Sequence, residues 1–138
     1  MVPGNGVSMD CSVAIQFLPM DAKDDDEVCH VVDQVIAYIA STGVNYYVGP
    51  FETAIEGDYD TCMDIVKNCQ LVGAKAGCKK MATYVKIDYR PQGDVMTTEH
   101  KVGKYHTTDS AFADTGTREA AAQAADAVKP AASAHEAA

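Results

Sequence analysis

Apolar and polar positions along the chain change period several times, and each period names an element. In Asp10–Leu18 (DCSVAIQFL), Cys11, Val13, Ile15 and Phe17 alternate with Ser12, Ala14, Gln16 and Leu18. Period two with β-branched residues predicts a strand, which Pro19 ends. Asp24, Asp25, Asp26 and Glu27 then precede Val28, Val31, Val32, Val35, Ile36 and Ile39, an apolar stripe at helical spacing. Acids at that start complement the positive end of a helix, and an Asp there serves as N-cap. Gly43 follows, where a helix C-terminus favours glycine. Val44–Val48 predicts a short strand, Gly49–Pro50 a turn, and Phe51–Glu56 the second strand of a hairpin that Gly57 breaks. Asp58 or Asp60 caps a second helix, with Cys62, Ile65, Val66, Cys69 and Val72 on one face, which runs out between Gly73 and Gly77. Met81–Tyr89 is the last predicted strand, closed by Arg90–Pro91, and a short polar helix follows over Thr97–Tyr105.

The order β-α-β-β-α-β defines an α+β fold, the ferredoxin-like βαββαβ sandwich: a four-stranded antiparallel sheet with two helices on one face. Val13, Ile15 and Phe17 turn toward the helices, with Thr83, Val85 and Ile87 from the last strand. The other face then shows Ser12, Ala14, Gln16 and Leu18, Asn45 and Tyr47, and Ala82, Tyr84, Lys86 and Asp88. In the third strand Thr53 and Ile55 share one face, and Glu52, Ala54 and Glu56 the other. The open face is expected to have no cover from within the chain. Its mixture of aromatic, amide, charged and small groups predicts that a second copy of the chain, a ligand, or both sit on it.

The ends differ from the middle. Residues 1–8 (MVPGNGVS) read as a loose arm, 9–106 as the folded domain, and 107–138 as an Ala-rich tail. Within that tail Thr117–Val128 is a candidate transient helix, stopped by Pro130. A length of 138 residues suits one domain. A net charge of −9, from 20 acids against 11 bases, argues against nucleic acid as a partner. No apolar run approaches the ~20 residues of a membrane span, and Met1–Met9 shows no secretory pattern. The five cysteines contain no CxxC and predict reduced, mostly buried thiols in a cytoplasmic protein.

Few catalytic chemistries fit. The loop Leu18–Asp26 lacks the CxxC of a metal chaperone, its aspartates would repel an anionic substrate, and no phosphate-binding glycine loop occurs. His30 sits inside the first helix. His100 and His106 flank the late polar segment without a third metal ligand, and His135 lies in the tail. Cys78 stands beside Lys79 and Lys80, the one thiol with basic neighbours. With no nucleophile–base pair, the chain is expected to be no enzyme and to hold neither metal nor cofactor.

Three segments, Gly43–Val48 (GVNYYV), Glu52–Tyr59 (ETAIEGDY) and Tyr84–Arg90 (YVKIDYR), resemble the small thiamine-binding protein family. The family pattern has Pro after strand one, Gly before a short aromatic strand, a Thr-x-x-Glu-Gly strand, and a closing Lys-x-Asp-x-Arg. Here those positions are Pro19, Gly43, Thr53, Glu56, Gly57, Lys86, Asp88 and Arg90. The resemblance spans residues 9–106. It implies a ferredoxin-like protomer assembled as a homodimer or homotetramer through its open sheet face and strand edges. It also implies non-catalytic binding of thiamine or its hydroxymethylpyrimidine half, as carrier, buffer or sensor. A carboxylate such as Glu56 suits the protonated ring nitrogen or amino group of the pyrimidine. Tyr47 or Tyr84 suits a ring or the thiazolium cation. Gln16, Asn45 and Thr53 supply amide and hydroxyl partners, and Lys86 belongs to the same pattern. The alternative is an oligomeric structural or regulatory module without a small-molecule ligand, its tyrosines filling an interface and Lys86 and Asp88 making intersubunit salt bridges. Neither reading involves nucleic acid or membrane.

Overall fold

Alternation in the first strand places the core. In the computed structural model, which describes residues 8–105, Cys11–Pro19 form β1. Val13, Ile15 and Phe17 are buried on its helix side. The remaining elements are α1 (Asp25–Ser41), β2 (Asn45–Val48), β3 (Thr53–Gly57), α2 (Tyr59–Lys75), β4 (Met81–Tyr89) and α3 (Thr98–Val102), with a 3₁₀ turn over Gly103–Tyr105. The four strands lie in the order β2-β3-β1-β4, every neighbour antiparallel. This is the ferredoxin-like sandwich, with α1 and α2 packed on one face of the sheet.

Each helix starts where its acids stand. Asp24 caps α1 by accepting the Glu27 N–H at 2.9 Å, and Glu27 in turn accepts the Lys23 N–H. Asp58 caps α2, accepting the Thr61 N–H at 3.0 Å. Gly43, just past α1, adopts φ +82°, a left-handed conformation that favours glycine. The core joins Val31, Val35 and Ile39 of α1 to Cys62, Ile65, Cys69 and Val72 of α2 over Val13, Ile15 and Ile55 of the sheet. α2 continues through Gly73 and ends at Lys75, between Gly73 and Gly77 as the sequence predicts. A Cβ at Gly73 would lie 2.9 Å from Phe17 Cε2 and closer still to Cζ, so glycine lets the ring press against the helix.

Three expectations are revised. Gly57 does not break β3; it is the strand's last residue, paired with Cys11. Phe51 lies outside β3. The Gly49 N–H donates to the Glu52 carbonyl at 2.9 Å and closes a tight turn with Pro50 and Phe51 at its middle. The open face also has cover from within the chain. After β4 the backbone is pinned by Arg90 N–H to the Asp10 carbonyl (2.8 Å) and Val95 N–H to the Met9 carbonyl (2.9 Å), and Val95 is buried. α3 then docks beside β3 through the hydrogen bond described below. Most of the expected arm (1–7), His106 and the tail from Thr107, including Thr117–Val128, lie outside the described residues.

Candidate functional site

The sheet register builds the site. Ser12 and Ala14 of β1 stand opposite Glu56 and Ala54 of β3, and opposite Asp88 and Lys86 of β4. Beyond β3, Asn45 and Tyr47 of β2 pair with Glu56 and Ala54. Small side chains at 12, 14 and 54 keep the floor low. The turn residues Gly49, Pro50, Phe51 and Glu52 raise one wall, and Thr98, Lys101 and Val102 raise another. The cavity between them, open to solvent, measures about 670 Å³, inside the roughly 300–1,000 Å³ range of small-molecule sites.

Glu56 ties the cavity together. It is only 6% exposed. Its Oε2 accepts the Thr98 N–H at 2.8 Å, and its Oε1 lies 3.5 Å from Asn45 Nδ2. A carboxylate offers about four acceptor positions, and among the described residues these two contacts take up two of them. Across the floor, Lys86 Nζ pairs with Glu52 at 3.3 Å, linking β4 to the turn. Arg90 and Asp88 pair at 3.4 Å. Lys86 and Asp88 are thus each paired within the chain.

The sequence-predicted site residues divide three ways. Tyr47 and Lys86 line the cavity; Asn45 and Glu56 do not line it but meet each other beside it, Glu56 being bonded to the cavity-lining Thr98. Gln16 and Tyr84 border a separate depression with Glu52, Thr83 and Lys86, where Tyr84 is 65% exposed. Thr53 is buried on the helix side, in register with Ile15 and Val48, and lines a groove beneath α1. Sequence reasoning missed Phe51, Thr98, Lys101 and Val102. Gly49–Pro50 followed by an aromatic was a usable signal for Phe51, since a turn entered there carries the next side chain out of the ladder. The α3 residues gave no such signal, because a five-residue polar helix has no apolar period.

Other reactive groups stand apart. Cys11, Cys62, Cys69 and Cys78 are buried and Cys29 on α1 is exposed, the mostly buried set that the sequence predicts. Burial first, and the neighbouring Cys11 second, push the Cys62 thiol up to about 12; burial pushes Cys69 up to about 12. Cys78 is likewise raised, by burial and by its hydrogen bond to Asp21 at 3.2 Å, so the adjacent lysines do not activate it. His30 and His100 are exposed, and no cluster of ligating side chains able to hold a metal occurs among the described residues. No helix among those residues is long and apolar enough to cross a membrane.

A ferredoxin-like sheet carrying a walled, mixed-polarity cavity on its free face defines a small-ligand-binding protein. The chain belongs to the thiamine-binding protein family, whose model matches residues 13–106. UPF0045 protein CPE1503 of Clostridium perfringens is 44% identical over 95 residues, covering 69% of this chain and 96% of that one. Among solved structures, a DUF77 domain from Bacillus cereus is 36% identical with a TM-score of 0.61, covering 70% of this chain and 90% of its own. A Thermotoga maritima protein named as a candidate in thiamine biosynthesis or salvage is 35% identical with a TM-score of 0.59, covering 69% and 97%.

Proposed function

We propose that this protein binds thiamine or its hydroxymethylpyrimidine half in the open-face cavity without catalysis, as a cytoplasmic homo-oligomer acting as carrier, buffer or sensor. The observation that carries the proposal is Glu56, a buried carboxylate beside the cavity that accepts from Asn45 and from the cavity-lining Thr98. An aminopyrimidine presents the matching donors, an amino group beside a ring nitrogen that protonates. Tyr47 and Phe51 line the same cavity and offer aromatic faces to the thiazolium cation. The relationship to a Thermotoga protein named for thiamine biosynthesis or salvage supports the same ligand class. Self-association is supported by the nine-residue edge strand β4, which leaves Tyr84, Ile87 and Tyr89 between 47% and 65% exposed.

Calorimetric titration with thiamine, thiamine diphosphate and hydroxymethylpyrimidine tests the reading, with mass by light scattering on the same sample. Micromolar binding that Glu56→Gln abolishes, at unchanged mass, is the expected result. Absence of heat with all three, from a folded oligomer, would overturn the ligand and leave assembly itself as the function.

A further inference from the structure

Phe51 has no structural employment in the sheet. It is 79% exposed, more than any other large apolar side chain among the described residues. A phenylalanine so exposed gains nothing from folding unless something covers it. Its position is nonetheless built with care. The Gly49–Glu52 backbone hydrogen bond closes the turn, and Pro50 restricts the backbone just before Phe51. Glu52, just after, is fastened to Lys86 on the far side of the floor. A Cβ on Gly49 would stand 3.0 Å from the Glu52 carbonyl, so the turn is tight as well as tethered. The aromatic ring is therefore held by a short, braced loop at the cavity rim. Phe51 lines both the open-face cavity and the apolar groove beneath α1, marking the wall between them.

We propose that Phe51 is the aromatic lid of the ligand site and stacks on the heteroaromatic ring of the bound molecule. This inference rests on the thiamine-binding reading and deepens it by naming a specificity-determining residue. A flat, cationic or electron-poor ring gains most from such a face, because the ring quadrupole of phenylalanine is negative above its plane. A non-aromatic ligand of equal size gains only contact area. Phe51 thereby selects for aromatic rings, while Glu56 selects for the donors those rings carry. Phe51 stands at the rim, and Glu56 stands beside the cavity-lining Ser12 and Thr98.

Two variants test the proposal. Phe51→Ala is expected to weaken thiamine and hydroxymethylpyrimidine binding at least ~10-fold by calorimetry, equivalent to ~1.4 kcal/mol, at unchanged oligomer mass and melting temperature. Phe51→Trp is expected to keep the affinity. Since the chain contains no tryptophan, the indole becomes its sole such fluorophore, and its emission is expected to change saturably at the calorimetric Kd. Thiamine binding by the wild type that Phe51→Ala leaves within twofold would overturn the lid and spare the binding reading. A parallel drop in oligomer mass would assign Phe51 to a contact between copies and also overturn the lid. Absence of wild-type binding to either ligand would overturn both.

Discussion

Glu56 joins the sheet to α3 by one short hydrogen bond, so removing its carboxylate should release the helix. α3 spans five residues, far below the ~12–15 at which an isolated helix becomes even marginal in water. The Thr97 side chain accepts the His100 N–H at 3.0 Å, but that bond is local and does not tie the helix to the sheet. The tie is the Thr98 N–H to Glu56 at 2.8 Å. A hydrogen bond to a charged acceptor contributes about 1.5–3 kcal/mol. Glu56→Ala deletes the acceptor and leaves the amide without its protein partner, so opening of α3 becomes easier by about that amount. Amide hydrogen exchange reads it directly: the protection of Thr98 should fall about 10- to 100-fold, since 1.4 kcal/mol is a factor of ten. Amides in β1 and β3 should keep their rank as the slowest. Glu56→Gln retains one oxygen for Thr98 and loses only the charge, so its protection loss should stay within about tenfold while ligand affinity collapses. A wild-type exchange rate at Thr98 in Glu56→Ala would refute the tie, and with it the place of α3 as a cavity wall.

Gly73→Ala forces a methyl group into the Phe17 ring; overpacking of about 1–3 kcal/mol, offset by up to ~1 kcal/mol of helix propensity, should lower the melting temperature by several degrees, and an unchanged transition would refute the contact. A thiol reagent at pH 8 should modify Cys29 rapidly and the other four cysteines only as the protein unfolds, as counted by mass spectrometry; fast labelling of Cys62 or Cys69 would contradict their burial. Hydrogen bonds from Thr61 hold the Asp58 carboxyl below its ordinary range. Its contribution is therefore complete at neutral pH and lost as pH falls below about 3.9 through the lower folded value. Asp58→Asn keeps a capping oxygen that does not titrate, and should give a shallower acid limb in denaturation monitored by circular dichroism; an identical limb would refute the assignment.

Most of the fold was legible because its signals were local. Alternation from Cys11 to Leu18 and the valine stripe of α1 each concern residues that become neighbours within one element. The caps at Asp24 and Asp58 are local in the same way, and so is the open-face membership of Tyr47 and Lys86. Thr53 shows the limit. The sequence separates its face from that of Glu56 by strict alternation, yet the Thr-x-x-Glu-Gly resemblance drew both into one site; the register puts Thr53 among the core residues instead. The pairing of Glu56 with Thr98 joins positions 42 residues apart in the chain. No periodicity or composition carries such a contact, and a chain read as leaving its sheet face bare had no wall to assign to α3.

The order in which the polypeptide is made gives that late contact a further consequence. Emerging from the ribosome, β1 appears first, yet it is a central strand whose two partners, β3 and β4, arrive later. α1, β2, β3 and α2 can gather on β1 before β4 is complete. The cavity cannot exist at that stage, since Thr98, Lys101 and Val102 are still to come. The cavity walls are therefore completed only after every residue of the hydrophobic core cluster has been synthesised. A nascent chain halted after Arg90 has every strand and both long helices, and lacks a wall of its pocket.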